Sequence, residues 1–369
     1  MYSPEEMETA APYSLLRCEV APDLCDLPVE SDIGEPDPTV ALDLVFLGDG
    51  YRADELPAFA AHVDSLVREA RADPDGILGR DPRLFNVHRV DVAAAGSAPS
   101  DRPFHSCVTQ DVLDGTGQLD SDAHRLYRAA ANAPDVDLVV VISRGALGRA
   151  NTHRPTHGGA PPIVRLHERH SHRTLTHELG HAIFHLADEY VDVPDEHPLV
   201  QDHPVWSLAR WAPNASFDPS ERWDGLVDGR REGADRYARG IYRPTDDCRM
   251  LDSGGSAPFC PVCSHHIDAW LAAFRGADDG PPQCGIVVGP SAYRPGALDA
   301  SITARDANGL SSIALVVDGV TLFPDLLSPG EQPRHHLSDA EFPARSGAAI
   351  EVRCSDTRGT LGVSELRAP

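Results

Sequence analysis

The first half of the chain alternates between short apolar runs and longer segments with helical periodicity. A β-branched, apolar run predicts a buried strand at Thr39–Leu47, and Asp54–Arg71 carries its apolar residues at helical spacing. Phe85–Val92 and Val136–Ser143 predict two further strands, with a helix between them at Asp122–Asn132. This order of strands and helices is typical of an α/β layer, so we expect a mixed, mostly parallel sheet with helices.

The next segments predict a short strand and a well-packed helix. Pro162–His167 is expected to form a short strand at the edge of the sheet. Ser171 is a suitable N-cap for the helix that follows, whose apolar face includes Leu175 and Leu179. Polar side chains on such a helix are held rigidly, which a metal site requires.

The C-terminal part has a different pattern. Gly and Pro residues at 276–282 indicate a linker, and a helix near Pro261–Phe274 precedes it. Short alternating runs separated by turn signals then predict an all-β, sandwich-like domain. These runs are Ile286–Val288, Leu298–Ala304, Ile313–Val317 and Ile350–Cys354. The predicted organisation is an irregular N-terminal arm (1–39), a catalytic α/β domain (40–275), the linker (276–282) and the β domain (283–369).

Composition narrows the classes of partner. The 369 residues include 57 Asp and Glu against 32 basic residues, all Arg, giving a formal net charge of −25. Such acidity argues against a nucleic-acid partner, because phosphate binding needs a positive field. No run approaches the ~20 apolar residues that span a bilayer. The chain's start lacks the apolar run of a signal peptide, which predicts a cytoplasmic protein, or a secreted one if a leader has been removed.

The run His177-Glu178-Leu179-Gly180-His181 is the most informative motif. Two histidines four residues apart lie on one face of a helix, so both can bind the same Zn²⁺. Glu178 follows the first histidine and can reach a water bound to that ion, which is the position of a general base. The motif predicts one catalytic zinc ion with His177 and His181 as two ligands.

The third ligand must lie close by, at His185, Asp188 or Glu189. His185 continues the stripe of histidines, but each step of four residues rises about 6 Å, too far for three ligands around one ion on a straight helix. Asp188 and Glu189 can serve only if the helix ends near Phe184 and the chain folds back. Metzincin peptidases fold back at a Gly, with their third ligand three residues after it; by that spacing Asp188 lies one residue late.

The residues His177 to Tyr190, which end in Leu-Ala-Asp-Glu-Tyr, resemble the zinc metallopeptidase family named after bacterial IgA peptidase, a metzincin-like family. The resemblance spans roughly residues 40–275 and includes four further blocks: Leu47–Tyr51, Phe85–Val90, Gly240–Met250 and Phe259–Cys263. It implies a metzincin-like fold and favours Asp188 as the third ligand over Glu189. It also implies a role for Met250 as an apolar floor beneath the zinc, although Met250 as ordinary core filler is an equal alternative.

The resemblance does not identify a tyrosine that would contact the transition state of the reaction. Astacin-type metzincins carry a Tyr two residues after the Met, but Asp252 occupies that position here. A catalytic tyrosine must therefore come from elsewhere, and Tyr242 is the candidate.

Three clustered cysteines, Cys248, Cys260 and Cys263, have three interpretations. They could form a structural zinc site with His265 or His266, a disulfide, or a set of buried thiols. We favour a disulfide from Cys248 to Cys260 or Cys263, because the resembling family is mostly exported.

Together these features predict a zinc-dependent endopeptidase acting on a protein or peptide substrate. Its edge strand would pair with the extended substrate. A zinc hydrolase of a non-peptide amide is one alternative. A non-catalytic binding protein with a vestigial metal site is another, although the intact Glu178 argues against it.

Overall fold

The computed structural model describes most of the chain. The described residues are 22–34, 41–110, 117–154, 161–192, 212–217, 223, 225–274, 283–290, 298–305, 310–323, 334–337, 348–356 and 361–367. The predicted linker at 276–282, residues 1–21 and 35–39 of the predicted arm, and the predicted strand's first two residues, Thr39 and Val40, lie outside them.

The described α-helices are α1 Leu56–Ala72, α2 Ile77–Arg80, α3 Ala123–Ala130, α4 His172–Phe184 and α5 Pro261–Phe274. The described strands before residue 245 are β1 Val29–Asp32, β2 Leu42–Asp49, β3 Phe85–Val90, β4 Cys107–Gln110, β5 Gly117–Asp120, β6 Leu138–Ser143, β7 Asn151–His153, β8 Ile163–His167, β9 Arg231–Ala234 and β10 Tyr237–Arg243. Each long strand and helix predicted from an apolar pattern before residue 275 is present, within a few residues of its predicted bounds.

The central sheet has six strands in the order β1-β3-β2-β6-β8-β7. The four inner strands are parallel, and the two outer strands, β1 and β7, are antiparallel to their neighbours. This confirms the expected mixed, mostly parallel sheet with helices. Two hairpins, β4-β5 and β9-β10, form separate small sheets.

The sheet buries both of its faces. Along β2, Leu44 and Phe46 join the core beneath helices α1, α4 and α5, whereas Val45 and Leu47 join the core beneath α3. Successive strand residues point to opposite faces, so a fully apolar run fits only a sheet that is covered on both sides. The motif helix α4 packs on one of these two cores, and the other core supports the sheet from its opposite face.

Two predictions about the sheet's margins are wrong. The strand at Ile163–His167 (β8) is not at the edge, because β7 pairs with it antiparallel and becomes the last strand of the described sheet. The N-terminal arm is not wholly irregular, since Val29–Asp32 pairs with β3. Both outer strands are only three or four residues long, too short for an apolar pattern to reveal them.

The described residues from Gln283 onwards form strands, with a hairpin turn at Asp318 and Gly319, as expected for an all-β region. A three-stranded sheet contains β11 Gln283–Pro290, β12 Leu298–Arg305 and β15 Arg334–Leu337. A four-stranded sheet contains β13 Leu310–Val317, β14 Val320–Phe323, β16 Ala349–Asp356 and β17 Leu361–Arg367. A disulfide between Cys284 and Cys354 joins the two sheets. Among the described helices, none is long and apolar enough to cross a membrane.

Candidate metal centre

Helix α4 ends where the third-ligand argument requires it to end. Ser171 is its N-cap residue, and the helix runs to Phe184. His185 then adopts the left-handed conformation, with φ at 57°, and Leu186 donates a backbone hydrogen bond to the Gly180 carbonyl at 3.1 Å. The chain reverses there and leads to Asp188, three residues after the turn. The turn and the acid are both one residue later than in the metzincin spacing, so their separation is preserved.

The reversal brings three predicted ligands together. His177 Nε2, His181 Nε2 and Asp188 Oδ1 form a triangle whose three sides are each 3.1 Å. Tetrahedral zinc with bonds of about 2.0–2.1 Å separates its nitrogen and oxygen ligands by about 3.3 Å. One ion therefore fits all three atoms. His185 does not join them, because its ring contacts Arg154.

Hydrogen bonds to backbone carbonyls orient both histidines. His177 Nδ1 lies 3.0 Å from the Arg249 carbonyl, and His181 Nδ1 lies 2.6 Å from the Leu186 carbonyl. A carbonyl only accepts, so in each ring Nδ1 carries the proton. Each Nε2 then has its lone pair directed into the triangle, the arrangement usual for metal-binding histidines.

The electrostatics of the triangle also favour a cation. Burial lowers the pKa of His181, but the adjacent Asp188 carboxylate outweighs burial and brings that pKa to about 9. Burial acts to raise the pKa of Asp188, whereas the neighbouring His181 and His177 hold it far below its usual range. Without a metal, the carboxylate is thus ionised and draws a proton onto His181, where a metal ion would supply the positive charge instead.

Glu178 is buried beside the triangle, and strand β7 holds its carboxylate. The Thr152 hydroxyl donates to Glu178 Oε2 at 2.8 Å and also lies 3.0 Å from the Glu178 carbonyl oxygen. Thr152 was not predicted as a site residue. The sequence offers no signal for Thr152, because its contact with helix α4 exists only when the three-residue strand β7 pairs with β8.

Met250 packs directly beneath the helix between the two histidines. It is fully buried, and a side chain at Gly180 would meet its sulfur at 2.9 Å. Its carbonyl accepts a hydrogen bond from Glu189 N at 2.8 Å. The close approach explains why a Gly occupies the helix at this point. Met250 therefore fills the core under the motif helix, and its role as a floor beneath the zinc stays a prediction.

The segment that carries Asp188 is fixed on both sides. The buried Asn214 side chain bonds the amide and the carbonyl of Ala187, each at 2.8 Å. Asp235 N donates to the Asp188 carbonyl at 2.7 Å, and Arg236 N donates to the Tyr190 carbonyl at 3.0 Å. Asn214 is a second residue that sequence reasoning missed, since its partner is 27 positions away.

Two tyrosines differ in their placement. Tyr190 stacks on His177 with ring centroids 6.4 Å apart, and Arg149 donates to its hydroxyl. Burial, followed by the Asp188 charge, raises the pKa of Tyr190. Tyr242, the tyrosine predicted from sequence, lies on β10, where its backbone pairs with Ser216. Tyr190 was missed, although it belongs to the same Leu-Ala-Asp-Glu-Tyr run.

Glu189 turns away from the triangle and into a buried group with the three cysteines. Glu189 Oε1 lies 3.3 Å from Cys263 Sγ and 3.7 Å from Cys260 Sγ. Burial, followed by the nearby Cys260 charge, raises the pKa of Glu189 to about 8. The favoured disulfide is wrong in this structure: all three cysteines are free, and Cys248 Sγ and Cys263 Sγ are 3.7 Å apart.

The histidines proposed for that cysteine group also lie elsewhere. His266 Nε2 contacts the Phe184 carbonyl at 3.1 Å, and His265 is exposed.

The fold and the triangle define an α/β protein with a candidate metal centre at the end of its motif helix. A sequence profile of the IgA peptidase M64 family matches residues 32–231, which is more than half of the chain, and the chain therefore belongs to that family. Membership in this peptidase family indicates a metallopeptidase, and it implies a bound metal and a protein substrate. The match includes the triangle and Glu178 but ends before Tyr242 and the three cysteines. No curated protein matches the chain.

Proposed function

We propose that this chain is a zinc-dependent endopeptidase with a metzincin-like catalytic domain. His177, His181 and Asp188 bind the zinc, and Glu178 is the general base. The observation that carries the proposal is the 3.1 Å triangle of ligand atoms, with both Nδ1 protons engaged by carbonyls. The buried carboxylate of Glu178 stands beside it, and family membership supports a metal and a protein substrate.

The chain's own residues position and move the proton. The ion that His177, His181 and Asp188 would hold would supply Lewis acidity, lowering the pKa of a water towards about 7 and polarising the scissile carbonyl. Glu178 accepts the proton of that water and returns it to the leaving amine. Thr152 orients the Glu178 carboxylate through its 2.8 Å hydrogen bond. It is a positioning residue, because it acts through Glu178.

The edge of the sheet provides a surface for an extended peptide. Strand β7 pairs with β8 on one side only in the described sheet, and Thr152 on β7 contacts Glu178. A substrate that added a strand alongside β7 would lie next to the general base. Strand addition recognises the backbone and therefore needs little sequence preference.

The tyrosine that assists the reaction is one of two. Tyr242 remains the candidate from sequence, whereas the stacking of Tyr190 on His177 supports Tyr190. Comparing Tyr190→Phe with Tyr242→Phe separates them: the assisting tyrosine is the one whose loss lowers kcat while zinc stays bound. A wild-type kcat in both variants would show that neither tyrosine assists the reaction.

A peptide-library cleavage screen tests the function itself. We expect internal cleavage of peptides that stops when a chelator removes the metal and returns when zinc is added. Hydrolysis of simple amides but of no peptide would favour the non-peptide hydrolase. Tight zinc binding with no hydrolysis of either class would favour the binding protein with a vestigial site.

A further inference from the structure

Four side chains form a second group of ligand atoms beneath the Asp188 segment. Glu189, Cys248, Cys260 and Cys263 are all buried, and their ligand atoms lie within 4.8 Å of one another. The proposed reaction uses none of them. Nothing about the peptidase chemistry explains why three thiols and a carboxylate should converge in the core.

The spacing of these atoms is that of a tetrahedral metal site. Zinc with Zn–S bonds of about 2.3 Å separates two sulfurs by about 3.8 Å, and a sulfur from an oxygen by about 3.5 Å. Cys248 Sγ and Cys263 Sγ are 3.7 Å apart, and Glu189 Oε1 is 3.3 and 3.7 Å from the Cys263 and Cys260 sulfurs. A disulfide would need about 2.05 Å and would leave one of the three thiols over.

Backbone amides point at the sulfurs, as they do around thiolate ligands. Met250 N and Cys260 N approach Cys248 Sγ at 3.4 and 3.3 Å, and Cys263 N approaches Cys260 Sγ at 3.5 Å. Donors of this kind stabilise the deprotonated sulfur. Cys260 and Cys263 also have the C-x₂-C spacing of zinc sites, at the beginning of helix α5, whose N-terminus favours negative charge.

The carboxylate needs a partner of positive charge. Glu189 Oε1 accepts a hydrogen bond from Asn214 at 3.0 Å, but its Oε2 is buried with no hydrogen-bond partner. No Arg or His side chain among the described residues forms an ion pair with Glu189. A buried carboxylate that is ionised without a partner of positive charge is strongly disfavoured. A divalent cation supplies that positive charge, and a set of three thiolates and one carboxylate carries the same formal charge as a Cys₄ zinc site.

We propose that Glu189, Cys248, Cys260 and Cys263 bind a second, structural zinc ion. Four protein ligands in a buried position close the coordination sphere, which is the pattern of structural rather than catalytic zinc. The chain links this site to the first one at two places. Glu189 follows Asp188 directly, and Cys248 immediately precedes Arg249, whose carbonyl orients His177. The second ion would thus fix both segments that shape the catalytic triangle.

Metal analysis of the reduced, zinc-loaded full chain tests this proposal. We expect two zinc ions per chain in the wild type and one in His177→Ala/His181→Ala, which lacks the first site. Cobalt bound to that double variant should show thiolate-to-metal charge-transfer absorption, which a His/His/Asp site cannot produce. Cys263→Ser should lose one ion and that absorption. Cys107→Ser, which removes an exposed free thiol, is the matched control and should keep both.

The double variant keeps the test independent of peptidase activity and of any folding defect in Cys263→Ser. Absence of metal and of charge-transfer absorption in the folded, reduced double variant would overturn the second site. A disulfide among the three cysteines in protein purified without reductant or chelator would overturn it as well. If the proposed peptidase site alone is wrong, the wild type would bind one ion and show the same cobalt–thiolate absorption.

Discussion

Removing one hydroxyl at Thr152 should slow catalysis without displacing the metal. Thr152→Val keeps the shape and β propensity of the side chain while deleting its 2.8 Å hydrogen bond to Glu178 Oε2. A hydrogen bond to an ionised group contributes about 1.5–3 kcal/mol, and each 1.4 kcal/mol is about tenfold in rate. Where that energy holds the Glu178 carboxylate in the orientation that takes the proton, its loss should lower kcat about 10- to 100-fold.

The assay is steady-state cleavage of a fluorogenic peptide found by the library screen, with zinc content measured on the same samples. The loss should appear in kcat more than in KM, because Thr152 acts through the base and not through the bound peptide. Thr152→Ser restores a hydroxyl and should recover most of the rate. Wild-type kcat in a zinc-loaded Thr152→Val sample would refute the positioning role. A parallel loss of zinc would show that Thr152 supports the metal site instead.

Three further results are expected. Asp188→Ala should lose the catalytic zinc while His185→Ala keeps it, since only Asp188 faces the triangle; metal analysis showing the reverse would overturn the ligand assignment. The catalytic site's zinc affinity should rise about tenfold per pH unit between pH 7 and 9 and then level off, because binding displaces the proton that His181 holds below about pH 9. Chelator competition, corrected for the chelator's own protons, measures this, and a flat profile would contradict it. Asn214→Ala should destabilise the fold by about 1–3 kcal/mol, because it leaves the buried amide and carbonyl of Ala187 unpaired; an unchanged free energy of unfolding in denaturant would show that water replaces Asn214.

The sequence predicted the elements that have long patterns. Strand β6 is a short run rich in β-branched residues, and helix α1 is a long stretch with apolar residues at helical spacing, so the type of each follows from its pattern and length. Strands β1 and β7 have three or four residues each and exist through pairing with a neighbour, and their sequences do not reveal them. That difference made β8 look like the edge of the sheet.

The residues of the candidate site likewise divide into those that the local sequence pattern predicts and those that only tertiary contacts bring to the site. His177, Glu178 and His181 follow from helix periodicity. A helix end near Phe184 left Asp188 and Glu189 both open, and the family resemblance favoured Asp188. The turn itself had no signal, because a left-handed residue is usually Gly or Asn and here it is His185. Thr152 and Asn214 contact the site through tertiary pairing, which one sequence does not encode locally. Tyr190 was within reach, because it ends the Leu-Ala-Asp-Glu-Tyr run that carries Asp188. The cysteine group was noticed, but its fourth member, Glu189, came from a segment considered only for the catalytic zinc.

The most direct test of the proposed function is the turnover of zinc-loaded Glu178→Gln. Gln preserves the size of the side chain and can still accept the Thr152 hydrogen bond, but it cannot accept the proton of the attacking water. The variant should bind as much zinc as the wild type and cleave the same peptide about 10²- to 10⁴-fold more slowly. Wild-type turnover by the purified, zinc-loaded variant would contradict the assignment of Glu178 as the general base.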